Sequence, residues 1–203
     1  FRCPNDIKIN QFLDWYNHLV FGKNNLDSYS DYHYELAEQN FLSLYIKKET
    51  QFKYYSACSK VGLKLQALSL GILSSDYLAR ESFDAKNQKK YMVWAIGKDY
   101  DEILIVQDGV MRCLLTAKRS SKDISIKNFI GSADLAIECI KKLKEKMIKD
   151  LKSFDLVDKI YMYQNMPGLD MKTIYNKKNK DSIIILNPLI KMGNTKKKKI
   201  NLI

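Results

Sequence analysis

Apolar positions recur along this chain in two rhythms, and the changes of rhythm mark its elements. From Ile7 to Phe21 they fall at 9, 12, 13, 16, 19 and 20, the spacing of one helical face. Asn5 or Asp6 stands where it can cap that helix. Gly22–Ser30 is polar and turn-rich and reads as a loop. Tyr32–Ala37 and Phe41–Ile46 read as strands joined by Glu38-Gln39-Asn40. Thr50–Val61 is predicted helical, with Gly62 at its C-terminal cap. Leu63–Leu68 alternates and reads as a strand with one polar face. Gly71–Ser82 is a further helix, and Asp84–Lys90 a polar connection.

The stretch from Tyr91 to Arg119 is the most informative. An apolar run, Tyr91–Ile96, reaches Gly97; a short polar loop precedes a second run, Ile103–Val106; Asp108-Gly109 then leads into a third, Val110–Ala117. Asp-Gly between two such runs predicts a tight hairpin, because a two-residue hairpin turn needs positive φ. Ser121–Asn128 holds one short strand. Ser132 then caps the clearest helix, with Asp134 in its first turn, where the positive end of the helix favours an anion. Apolar residues at 136, 140, 143, 147 and 151 form one stripe, widened by 137 and 148. Lys159–Tyr163 reads as a strand, Pro167-Gly168 as a turn, Leu169–Tyr175 as a short helix and Ser182–Leu186 as a last strand ended by Pro188. Helices and strands thus alternate, with hairpins among them, which predicts an α/β fold with a mixed sheet.

The 203 residues suit one domain or two small subdomains, and 46% hydrophobic residues suffice for a core. The chain opens at Phe1 without an initiator Met and is expected to be a piece of something longer. Its net charge of +11 suits a nucleic acid, an anionic membrane surface or an acidic protein, and does not choose among them. Cys3, Cys58, Cys113 and Cys139 form no C-x-x-C pair, and with two histidines they do not describe a zinc site. They read as buried thiols of a reducing compartment. No apolar run is long enough to span a bilayer. At the C-terminus, Lys191 and Lys196, Lys197, Lys198 and Lys199 precede Ile200–Ile203. That order fits the cytoplasmic flank of a transmembrane helix beginning beyond residue 203, and equally a solvated basic tail.

Several short motifs in series carry a family resemblance. They are a helix ending in Lys60-Val61-Gly62-Leu63, a strand Lys64–Leu68, a helix Ile72–Ala79, the three-strand unit broken at Gly97 and Gly109, a long helix from Ser132, a strand Lys159–Tyr163, Met166-Pro167-Gly168-Leu169, and Ile183–Leu186 running into Asn187-Pro188. From roughly Tyr32 to Met192 this order resembles the actin-like platform proteins of type IV pilus and type II secretion machines, the PilM and GspL group. The resemblance implies an actin-like (ribonuclease H-like) fold of mixed sheets flanked by helices, incomplete or degenerate. It divides the chain into a partial first subdomain at 1–83, a second at 84–192 and a basic juxtamembrane tail at 193–203.

The departures from that family set the expected function. Its nucleotide-binding members carry an acidic residue before the first-turn glycine, where this chain has Ala95. The phosphate-facing Thr or Ser is missing from Lys98–Asp101, Gln164-Asn165 stands in place of an adenosine-side Gly-Gly, and the N-terminal phosphate loop is not in the chain. Phosphate binding needs close backbone N–H groups and an acid for Mg²⁺. The resemblance therefore implies a pseudo-ATPase without catalytic, cofactor or metal residues. It would be a scaffold at the cytoplasmic face of the bacterial inner membrane that links the assembly ATPase to platform proteins. Two rivals stand beside it: an ATP-binding actin-like protein of the same machinery, and a basic nucleic-acid-binding domain.

Other candidate residues divide between a chemical and a structural reading. His18 and His33 lack a nucleophile with a local signature and read as structural. Asp99, Asp101 and Glu102 are a possible cation cluster, but without calcium-loop spacing they read as a solvated acidic loop. Lys141, Lys142, Lys144, Lys146, Lys149 and Lys152 form a basic helix face open to an acidic protein partner. Without Arg or aromatics that face makes a poor nucleic-acid site, and its plain reading is a solubilising surface. Tyr29, Tyr32 and Tyr34 read either as an interface or as packed strand residues.

Overall fold

The computed structural model describes residues 4, 8–22, 25–35, 40–65, 70–120, 123–149, 154–164 and 183–186. The chain divides into two compact units, Phe1–Ser69 and Leu70–Ile203. The expected subdomain division lay after residue 83; the helix before it packs on the sheet of the second unit.

In the first unit, helix α1 (Ile9–Phe21) lies on a two-stranded antiparallel ribbon of β1 (Tyr29–Glu35) and β2 (Phe41–Lys47). β1 begins earlier than the sequence pattern suggests, at Tyr29. The ring of Phe21 meets the rings of Tyr29 and Tyr45 at 4.5 and 4.6 Å between centroids, and Phe12 and Asn17 are buried under α1. Helix α2 (Lys48–Lys60) follows β2 directly and buries none of its residues. It ends in a Schellman pair: Leu63 N donates to Cys58 O at 2.9 Å and Gly62 N to Ser59 O at 3.0 Å, which satisfies carbonyls the helix leaves open. The strand expected from Leu63 does not form over 63–65, which carry no regular structure: Leu63 is exposed and no strand among the described residues pairs with them; residues 66–68 lie outside the described residues.

The second unit is built on a six-stranded mixed sheet. Its strands are β3 (Lys90–Ile96), β4 (Tyr100–Gln107), β5 (Val110–Arg119), β6 (Ile124–Gly131), β7 (Lys159–Gln164) and β8 (Ile183–Ile185), in the order β6-β5-β4-β3-β7-β8. β3 to β6 form an antiparallel meander, while β7 runs parallel to β3 and β8 parallel to β7. The hairpin predicted at Asp108-Gly109 is present, with φ of 52° and 78°. Both values are positive, as the turn that matches the twist of the strands demands. β6 is longer than the short strand expected: it runs to Gly131, and Lys127 is the extra residue of a bulge that opposes the Thr116/Ala117 step of β5.

Among the described residues two helices pack on the sheet. α3 (Gly71–Ser82) packs on β3 and β4, with Ile72, Leu73 and Ala79 buried. α4 (Ala133–Lys149) packs on β5 and β6. Ser132 caps α4 as predicted, its Oγ accepting from Leu135 N at 3.3 Å. Ala136, Cys139, Ile140 and Leu143 bring the apolar stripe of α4 into a core shared with Met92, Trp94, Ile96, Ile103, Ile105, Leu115 and Ile160. Phe154, Leu156 and Val157, in the segment before β7, close the same core. Ile137, expected to widen the stripe, is 60% exposed: one residue past Ala136, it is carried about 100° away from the sheet. The turn, short helix and Pro188 expected between 165 and 188 lie outside the described residues.

The register of α4 is open to a direct test. Leu143→Ala removes a fully buried side chain and is expected to cost about 2–5 kcal/mol. Ile137→Ala should change stability by no more than about 0.5 kcal/mol. Urea unfolding of the two variants checks both, and equal losses would mean the helix is rotated.

Candidate functional site

The turn from β3 to β4 at Gly97 is the candidate, because buried polar groups from three strands converge on it. Strand alternation decides what surrounds it. Trp94 and Ile96 on β3 face the α4 side of the sheet, and their ladder partners Ile103 and Asp101 on β4 face the same way. Ala117 on β5 pairs with Asp101, and Arg119 follows two residues later on the same face. Three strands thus bring a carboxylate, a guanidinium and an indole to one end of the core.

Asp101 is 0% exposed. The sequence reading of residues 99–102 as a solvated loop therefore needs correction: Asp99 is exposed, whereas Asp101 is buried inside β4 in phase with Ile103 and Ile105. Its Oδ2 accepts from Trp94 Nε1 at 3.1 Å and from Arg119 Nε at 3.0 Å. Its Oδ1 accepts from Arg119 Nε at 3.2 Å and from Gly97 N at 3.3 Å. Arg119 Nη2 also donates to Gly97 O at 2.9 Å. Burial raises the Asp101 carboxyl above its ordinary value, and the Arg119 charge and the indole, guanidinium and Gly97 N–H groups pull it back. A Cβ on residue 97 would lie 2.2 Å from Tyr100 O, so the turn closes only around a glycine. The N–H and C=O of Gly97 both point into the Asp101–Arg119 pair, so the one backbone donor of this glycine is already held by a carboxylate.

A second polar cluster sits on the α3 side at the opposite, amino-terminal ends of β3 and β7. Tyr91 and Tyr161 are buried and meet edge to face, 5.7 Å between centroids. Tyr91 donates to Asp76 Oδ1 at 2.6 Å, and Arg80 Nε stands 2.9 Å from Asp76 Oδ2. Tyr161 donates to Asp84 Oδ1 at 2.6 Å, and Lys159 pairs with Asp84 Oδ2. Burial, then the carboxylate each hydroxyl faces, pushes both phenols far above their usual range. The hydrogen bond from Lys159, then that from Tyr161, holds Asp84 below its usual value. Sequence reasoning missed this cluster; the i, i+4 spacing of Asp76 and Arg80 was its one local signal.

The first unit holds a hydrogen-bonded chain that the sequence reading of His33 did not foresee. His33 and Ser43 are cross-strand partners, with Nδ1 and Oγ 2.7 Å apart, and His33 Nε2 lies 2.9 Å from Asp31 Oδ2. The carboxylate only accepts, so Nε2 carries the proton and Ser43 donates to Nδ1. Asn17 Nδ2 donates to the same Asp31 oxygen at 2.8 Å, and Tyr45 donates to Asn17 Oδ1 at 2.6 Å. Burial raises the Asp31 carboxyl, but the His33 and Asn17 hydrogen bonds outweigh it and hold the group below its ordinary value. Serine, imidazole and carboxylate in series can activate a nucleophile. Here the series continues into Asn17 of α1 and acts as a strut between that helix and the ribbon. An open hollow of about 610 Å³ lies elsewhere in this unit, with Lys47, Lys48, Phe21 and Tyr29 among its walls. His18 is exposed on α1, 3.6 Å from Asp14.

The lysines proposed from sequence are brought together only in part. Lys142 pairs with Asp155 at 2.6 Å and Glu138 at 3.4 Å, and Lys144 with Asp123 at 3.0 Å. Lys141 is exposed. Lys146 and Lys149 belong to α4, but their side chains lie outside the described residues, as do Lys152 and Lys196–Lys199. Tyr32 is exposed, Tyr29 is half-buried against Phe21, and the Tyr34 side chain is not among those described. Cys113 and Cys139 are buried as expected, and burial pushes their thiols up to about 11 and about 12. Cys58 is half-buried, and Cys3 lies outside the described residues.

The geometry defines a mixed α/β protein whose sheet is flanked by helices. No protein family matches the chain, and no curated protein matches it. Among solved structures it is similar to a Bacteroides thetaiotaomicron VPI-5482 protein with an actin-like ATPase fold and unknown function. The identity is 15% and the TM-score 0.36, over 90% of this chain and 62% of that one. The chain thus spans less than two thirds of the length of that protein.

Breaking the Asp101–Arg119 pair is expected to be severe. Arg119→Ala strands a buried carboxylate and should cost about 3–5 kcal/mol in urea unfolding. Adding Asp101→Asn should restore part of that loss, because the amide needs no counter-charge. Additive losses would show the two groups to be uncoupled.

The depressed Asp84 gives a pH dependence of definite sign. Between its folded value and the unfolded one near 3.9, the unfolded chain binds more protons, so stability rises with pH. The contribution of Asp84 is whole above about pH 4 and lost as pH falls through the folded value. Asp84→Asn should flatten the acid limb of a stability–pH profile and leave the neutral limb parallel to the parent.

Proposed function

We propose that this chain is an actin-like, non-catalytic scaffold domain of a type IV pilus or type II secretion platform, linking the assembly ATPase to the inner-membrane complex. The observation that supports it best is the state of the β3–β4 turn. The resemblance puts a nucleotide phosphate against Gly97; in this chain Asp101 and Arg119 hold both polar groups of that glycine, and Ala95 replaces the acid. Strand order supports the architectural half of the reading: an antiparallel meander, β3 to β6, opens the sheet, and after a long helix β7 joins it parallel to β3. In this reading the sheet unit works by binding and by transmitting domain motion, with the exposed side of α4 and the lysine tail as its contact regions.

Two measurements test it. Immobilised chain at low salt should retain the cognate hexameric assembly ATPase; failure with both partners folded argues against the scaffold role. Mg-ATP at millimolar concentration should leave the melting temperature unchanged. A ligand at a hundredfold excess over Kd stabilises a fold by about 2.7 kcal/mol, so a clear upward shift would instead favour the ATP-binding alternative.

A further inference from the structure

We propose that α2 and the segment leaving it form a contact surface for an anionic lipid bilayer. α2 buries none of its residues. Phe52 is 70% exposed, Tyr54 and Tyr55 are exposed beside it, and past the helix end Val61 and Leu63 are 70% and 64% exposed. Lys48, Phe52, Tyr55 and Ser59 follow i, i+4, i+7 and i+11, one face of a helix. Between Lys47 and Lys64 five lysines stand against a single glutamate, and there is no Arg or Asp. That glutamate, Glu49, is paired with Lys53 at 2.6 Å. A surface at once apolar and cationic needs an occupant that is apolar and anionic.

The side-chain types decide among such occupants. Protein interface centres are enriched in Arg and depleted of Lys. Nucleic-acid sites lean on the guanidinium fork for phosphates and bases. Lysine mixed with Phe, Tyr, Val and Leu is instead the chemistry of a headgroup boundary. Aromatic rings seat at the acyl edge there, and lysine stems lie along apolar surface with their ammonium groups in the headgroups. Each lysine held near an anionic leaflet strengthens binding by about fivefold. A helix of 13 residues is about 20 Å long, too short to span, so it lies on the surface. The hollow at its amino-terminal end has Lys47, Lys48, Asn25 and Ser28 on its wall together with Glu49, whose charge Lys53 balances, and the two remaining lysines suit a lipid phosphate. This surface rests on the exposure and charge of α2 and not on the scaffold reading, and vesicle binding and retention of the assembly ATPase can fail separately.

Vesicle co-sedimentation tests it, with a background in which Lys196–Lys199 are all replaced by Gln, so that the tail cannot supply the charge. The chain is expected to bind vesicles containing phosphatidylglycerol, to lose that binding in high salt, and to ignore pure phosphatidylcholine. Phe52→Ser with Tyr55→Ser should weaken the binding by about tenfold or more, with the circular dichroism spectrum unchanged since both side chains are exposed. Lys48→Glu with Lys60→Glu should do the same. No binding to anionic vesicles, or equal binding by the serine double variant, overturns the proposal. Retention of single-stranded RNA without vesicle binding would reassign the surface to nucleic acid.

Discussion

A carboxylate with no access to solvent organises one end of the sheet. Burying Asp101 alone would cost several kcal/mol, and the fold offsets this with donors from three places at once: the indole of β3, the turn amide of Gly97 and the guanidinium of β5. Because each donor comes from a different segment, the arrangement fixes more than a pair. It sets where β3 stops, makes Tyr100 rather than Ile103 the start of β4, and holds β5 in register to its last residue. The second Arg119 donor, on Gly97 O, locks the turn from its other side. A network of this kind stabilises only when every member is satisfied, and all of Asp101's neighbours here contribute.

How much of this was legible in the sequence depends on the rhythm at each residue. Tyr91–Ile96 announced itself because a strand buried on both faces reads as a continuous apolar run, Val110–Ala117 because its buried positions alternate, and the turn between β4 and β5 by its Asp-Gly pair. Asp101 did not, since hydrophobicity alone ends the run at Ile103. Its phase was nevertheless in the sequence. Residues 101, 103 and 105 share a face at period two, as do 113, 115, 117 and 119 once the hairpin register is drawn. An acid and a base in phase with two buried rows are a pair in waiting, and following alternation past the last apolar residue would have found them. The far end of β6 was hidden for another reason: Lys127 bulges, which shifts the alternation by one, and an edge strand with solvent beside it has weak periodicity.

Tertiary contacts decided the rest. His33 looked isolated because Ser43 reaches it only through the β1–β2 register and Asn17 reaches its partner Asp31 only through the seating of α1, whereas Asp31, two residues away on the same strand, was the one local signal. Asp76 and Asp84 meet Tyr91 and Tyr161 across separate elements for the same reason. On the lysine face of α4, too, tertiary contacts add what spacing does not record. Its spacing suggested a basic face, but Lys142 is paired with Asp155 and with Glu138 of the same helix, and Lys144 with Asp123, and two of those three acids lie outside α4.

The same carboxylate bears on the functional reading through simple competition. A phosphate approaching the β3–β4 turn wants the Gly97 amide and a nearby cation, and it would find Asp101 already holding both. To bind, it would have to free Arg119 from a buried partner, and the stranded carboxylate would then sit close to the incoming anion. Two anions sharing one cation in low dielectric repel strongly, so the exchange is unfavourable at each step. A ligand-binding turn keeps its donors directed outward; this one directs them into its own core. The clamp thus trades a site that opens for ligand against a turn that is rigid without one. Rigidity without a ligand is what a domain needs if it relays force between partners rather than cycling with a nucleotide.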